Sequence, residues 1–136
     1  MQITREFSKH QVIPVVFAQA NVAADQTDVQ LKDASGQVDG VTMPFAGQIV
    51  ALALDLSAAA TAGELTVGVT INGTENATTT QTVTTGTAAR VLFDRDAVGF
   101  AAGDKIGVEI TTNSTWDGLT ADLAVNVFAA LAVEGI

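Results

Sequence analysis

Apolar and small polar residues alternate with a period of two over most of the chain, the pattern of strands with one buried and one solvated face. The clearest stretch is Gln48 to Ser57, with Ile49, Ala51, Ala53 and Asp55 on one face and Val50, Leu52, Leu54 and Leu56 on the other. Glu64 to Ile71 predicts a second strand, with Leu65, Val67, Val69 and Ile71 on one face. It ends at Asn72-Gly73, a strong turn signal because both residues tolerate a positive φ. Ala89 to Phe93 and Asp104 to Thr112 predict two more strands, and the Thr-rich stretch Ala77 to Thr85 an exposed or edge strand.

Gln11 to Gln19 predicts a first strand in which Pro14, lacking an N–H, favours an edge or an arm. A short strand over Thr27 to Lys32 runs into the turn Asp33-Ala34-Ser35-Gly36. The last strand, Leu119 to Val133, is apolar on both faces. Leu123, Val125, Val127, Leu131 and Val133 oppose Ala124, Phe128, Ala130 and Ala132. Such a strand sits centrally in a sheet covered on both sides. In a one-domain sandwich the second cover is most easily a neighbouring subunit.

About eight strands spaced by Gly and Asn turns predict an all-β fold, a single jelly-roll-like antiparallel β-sandwich with an irregular N-terminal arm. Residues 1–40 form the arm and first strands, and residues 41–136 the sandwich, as one domain overall. Composition agrees: eighteen Thr and seventeen Val favour strands, and no helix beyond a turn or two is expected.

The formal charge is −9, from fifteen acids against six bases, so the chain lacks the basic residues that displace counterions from nucleic acid. The same deficit disfavours an anionic membrane surface. Charged residues are only 15% and apolar residues 48%, an excess that points to burial against other subunits. Without cysteine and with a single histidine, His10, no Cys-based or His-rich metal centre can be assembled. Arg5 and Lys9 before an apolar run ending in Ala18-Gln19-Ala20 resemble a secretory leader, but Pro14 breaks the run and Glu6 lies in the basic region. No cleaved leader is therefore expected.

Asp94 and Asp96, with Asp104 eight residues on, are the nearest approach to a calcium loop, but the bidentate Glu of that loop is missing. A solvated turn with Arg95 nearby is the expectation. The carboxylates Asp55, Glu64, Glu109 and Asp122 lie in or beside strands, and nothing in their spacing brings two together for acid–base work. His10 lacks a nucleophile elbow to serve. No catalytic residue, cofactor or metal is assigned, and the chain is expected not to be an enzyme. Trp116, in the loop Asn113-Ser-Thr-Trp-Asp-Gly118, can be exposed to stack on a sugar or anchor an interface, or can fold back to cap the open end of the sandwich. The cap is preferred, because a lone aromatic makes a poor sugar platform.

From Val41 to Val133 the chain resembles small jelly-roll virion proteins of tailed bacteriophages. The stretches that carry this are Met43-Pro44-Phe45-Ala46-Gly47-Gln48-Ile49-Val50, Ala62-Gly63-Glu64-Leu65-Thr66-Val67 with Asn72-Gly73, Phe100-Ala101-Ala102-Gly103-Asp104-Lys105-Ile106-Gly107-Val108, and Thr111-Thr112-Asn113-Ser114-Thr115-Trp116. The resemblance implies a head decoration (cement) protein that binds the major capsid protein on the outer capsid surface. It also implies a homotrimer. In that setting Phe7, Val12, Ile13, Val15 and Phe17 of the N-terminal segment would form a clamp on the shell, with Trp116 as a further interface candidate. The alternative is a tail- or fibre-associated jelly-roll module binding a receptor or glycan through Trp116 and the Thr-rich strand.

Overall fold

A computed structural model describes residues 10–133. Its strands are β1 (His10–Gln19), β2 (Val29–Gln30), β3 (Lys32–Asp33), β4 (Val41–Thr42), β5 (Gly47–Leu56), β6 (Leu65–Ile71), β7 (Thr74–Glu75), β8 (Gln81–Val83), β9 (Ala88–Leu92), β10 (Gly99–Phe100), β11 (Lys105–Thr112) and β12 (Leu123–Ala132). They form two antiparallel sheets, the expected all-β, jelly-roll-like sandwich. Sheet A runs β10-β5-β12-β1-β3, with β9 also on the outer edge of β5. Sheet B runs β2-β11-β6-β7, with β4 beside β2 on β11 and β8 beside β7 on β6.

The core fills the space between the sheets. Leu52, Leu54, Leu56, Leu123, Val125 and Val127 point inward from sheet A, and Leu65, Val67, Val69, Ile106, Val108 and Ile110 meet them from sheet B. Full burial of each such side chain contributes about 1.5–3 kcal/mol, which is why the alternation dictates which face turns inward.

Ile49 departs from the expected phase. It is buried together with Leu52, although the two differ in parity. Ala51 pairs with Phe128 while Ile49 pairs with Ala129, so Val50 is an extra residue, a β-bulge that reverses the alternation below it.

The described part of residues 1–40 is built into both sheets. From His10 onward β1 is paired along its whole length with β12, His10 to Ala132 through Gln19 to Leu123. The segment Thr27 to Lys32 divides between two sheets, since β2 pairs with β11 and β3 with β1. Leu31 lies between them, buried, its N–H donating to the Val108 carbonyl at 2.8 Å. That step closes one side of the sandwich. The Thr-rich stretch is a 3-10 turn over Ala77–Thr79 followed by the edge strand β8.

Trp116 caps one end. It is buried, and its Nε1 donates to the Val22 carbonyl at 3.1 Å. Gly63 makes this possible: its φ is +86°, and a Cβ there would stand 2.3 Å from the Trp116 backbone.

Candidate assembly surface

The two outer faces of the sandwich differ in chemistry. On sheet B the outward residues of β11 and β6 are Gly107, Glu109 and Thr111, and Thr66, Gly68 and Thr70. Glu75 folds over Gly68, and Gln30 donates from Nε2 to Glu109 Oε2 at 3.0 Å, so polar side chains of the chain itself cover this face. Glu109 is buried there. Desolvation first, then the negative charges of Asp28 and Glu75, hold its pKa above the ordinary value.

Sheet A has no such cover among the described residues. Register places Leu92, Ala51, Phe128 and Pro14 in one outward row across β9, β5, β12 and β1. The next row is Arg90, Ala53, Asn126 and Val16, and the one after is Ala88, Asp55, Ala124, Ala18 and, on β3, Lys32. Val12 stands opposite Ala130 at the other end. Leu92 is 76% exposed, Val12 60% and Val16 42%, and Phe128 is half-buried. Only Arg90, Asp55 and Lys32 carry charge in these rows. A contiguous apolar face of this kind marks an interaction surface.

The residues singled out from sequence separate by face. Val12 lies on the apolar outer face, whereas Val15 and Phe17 point between the sheets and belong to the core. Ile13 is half-buried against that core and lines a groove of about 460 Å³ with Val41, Met43 and Pro44. Trp116 is inside, at the capped end, with no indole face offered to solvent. Phe7 lies outside the described residues. The grouping of Val12, Val15 and Phe17 as one clamp therefore does not hold as a surface, because a period of two sends neighbours to opposite sides. The face draws instead on Val16, Leu92, Ala51 and the outward half of β12. The double-sided apolarity of β12 was the sequence signal for it.

The loop carboxylates serve local structure. Asp117 accepts from the Thr61 hydroxyl, and from the N–H groups of Thr61 at 2.8 Å and Ala62 at 3.1 Å, tying two loops together beside Trp116. Those bonds, the hydroxyl foremost, hold its pKa below the usual carboxylate value. Asp104 is lowered by the Ala101 N–H and then by the Asn72 amide, and Asp33 by the Ser35 hydroxyl and then by the Gln37 N–H. Asp94 and Asp96 sit in an exposed turn, where the Asp96 N–H donates to Gln48 Oε1 at 2.6 Å. Among the described residues no three His, Asp or Glu side chains converge as a metal-ligand set.

No protein-family model and no curated protein sequence matches this chain. Two solved structures similar to it are those of turnip yellow mosaic virus at 100 K and of the empty head of that virus at 100 K. Each match has 14% identity and a TM-score of 0.35, covering 89% of this chain and 92% of that chain in the first, and 90% and 80% in the second. At that identity and score the likeness carries no argument about function.

Proposed function

We propose that the chain is a non-enzymatic structural protein of a virion, a head decoration (cement) protein that binds the outer shell as an oligomer and stabilises the junctions between capsomers. The observation that carries this reading is the uncovered apolar face of sheet A. A rigid sandwich that hides one outer face under its own polar side chains and leaves the other apolar is built to be covered by protein. The acidic remainder keeps such a molecule soluble until it docks. The resemblance of Val41 to Val133 to small jelly-roll virion proteins supplies the setting, with the major capsid protein as partner.

A shell swollen by packed genome is under outward stress. A sandwich bridging neighbouring capsomers opposes it by adding interface area that must be lost before the shell opens. The tail-module alternative uses Trp116 and the Thr-rich strand as ligand surface, and burial of the indole removes its aromatic platform.

Quantitative mass spectrometry of purified particles from the source tests the proposal. A copy number matching the capsomer junctions is expected, with particles lacking the chain rupturing at lower temperature. Absence of the chain from purified particles overturns it.

A further inference from the structure

We infer that the apolar face of sheet A receives a second copy of this chain, packed face to face about a two-fold axis that runs parallel to the strands between β12 and β1. The inference rests on reading this face as an assembly surface, and not on where the assembly sits.

One row of this face carries opposite charges at its two ends. Asp55 pairs with Ala124, Ala124 with Ala18, and Ala18 with Lys32, so the row crosses β5, β12, β1 and β3 in order. Residues directly opposite each other in a sheet share a face, and Asp55, Ala18 and Lys32 are all exposed. The row therefore carries an acid at one end, a base at the other and two alanines between. Its ends are three strand spacings apart, about 14 Å.

A two-fold axis through its midpoint exchanges the ends. Asp55 of each copy then stands over Lys32 of the other, and two ion pairs of opposite sense flank the centre. The same axis exchanges β12 with β1. Phe128 comes over the second copy's Pro14, Asn126 over its Val16, and Ala130 over its Val12. Because the axis is parallel to the strands, the two sheets pack in the aligned mode favoured by twisted sheets. The alanines at the centre allow close approach.

Charge selects this occupant. The chain as a whole carries −9, so two copies meeting through other faces stack like charges. On this face Lys32 and Arg90 stand against Asp55, and apposition of two such faces adds no acidic repulsion. Strands β5, β12 and β1 run ten residues and β3 only two, so the overlap of the two copies centres on β12 and β1. Strand β9, with Arg90 and Leu92, overhangs the pair at its rim.

Sedimentation equilibrium of the full chain tests the inference, with circular dichroism confirming that each variant folds. The wild type is expected at twice the chain mass. Val16→Glu, at an exposed position in the centre of the face, is expected at the single-chain mass, and Val12→Glu serves as a second such probe. Asp55→Lys and Lys32→Asp each weaken pairing about tenfold, and combining them restores it to within about threefold, since the ion pairs are re-formed in reverse. Overturning results are a single-chain mass up to about 1 mM, a three-chain mass, a pair that survives both glutamates, or a double swap as weak as the single ones. A pair that passes these tests but is missing from particles overturns the virion reading alone. A shell-bound chain that stays monomeric in solution overturns the pairing alone.

Discussion

Trp116 and Val22 lie 94 residues apart in the chain and are joined by a 3.1 Å hydrogen bond from the indole Nε1 to the Val22 carbonyl. The bond fastens the loop after β11 onto the crossing that follows β1, and so links the first and last thirds of the chain at one end of the sandwich. Both residues are buried, so the carbonyl has no water to fall back on.

Trp116→Ala is accordingly expected to cost about 3–5 kcal/mol of stability, the range for deleting a large buried aromatic. Trp116→Phe keeps most of the packing but orphans the Val22 carbonyl, at about 1–3 kcal/mol. Urea denaturation of the two variants checks the order. Equal, small losses would show that the indole does not cap the end.

Gly63 and Gly73 provide a matched pair. Both have a positive φ, +86° and +84°, but a Cβ at Gly73 meets nothing within 4 Å, whereas one at Gly63 meets the Trp116 backbone at 2.3 Å. Gly73→Ala is expected to cost about 1 kcal/mol, from backbone strain alone. Gly63→Ala adds overpacking against backbone that cannot rotate away, about 1–3 kcal/mol more. Thermal melting of both variants gives the difference directly.

Two groups of carboxylates predict opposite pH responses. Glu109 has a folded pKa raised above its unfolded value, so folding takes up a proton, and its contribution to stability falls as pH rises between the two values. Glu109→Gln is therefore expected to be more stable than the wild type near pH 7, with the gain shrinking as pH falls through the folded value and gone below the unfolded one. Asp33, Asp104 and Asp117 have folded pKa values below their unfolded ones, so their contribution is present above the unfolded value and is lost as pH falls through the folded one. Asp117→Asn should flatten the acid limb of the stability curve. Denaturation series from pH 2 to pH 8 separate the two effects, and a Glu109→Gln variant less stable at pH 7 would contradict the first.

Much of this architecture was legible in the chain. Period-two alternation placed β5, β6, β11 and β12, because side chains of a strand with one buried face must alternate. The limits of β12 were read too early. Ala121 donates to the Gly118 carbonyl in a turn, and the strand begins only at Leu123. The bulge at Val50 was not legible, since an inserted residue leaves composition unchanged and shows only when register to β12 is known. The split of residues 29–33 between two sheets was hidden for the same reason. The apolar outer face of sheet A was half legible. Phe128, Ala124 and Ala132 announced it as the surplus apolar side of β12, whereas Val15 and Phe17 were grouped with Val12 by position in the chain instead of by face. The row joining Asp55 to Lys32 exists only in register across four strands, and no local pattern reports it.

The most direct measurement is cryo-electron microscopy of the source particle at a resolution that separates the two sheets. The sandwich is expected on the outer shell, with the face that bears Val16 and Phe128 covered by protein and the face that bears Glu109 toward solvent. A sandwich missing from the shell, or one whose sheet A face lies open to solvent, would contradict that placement.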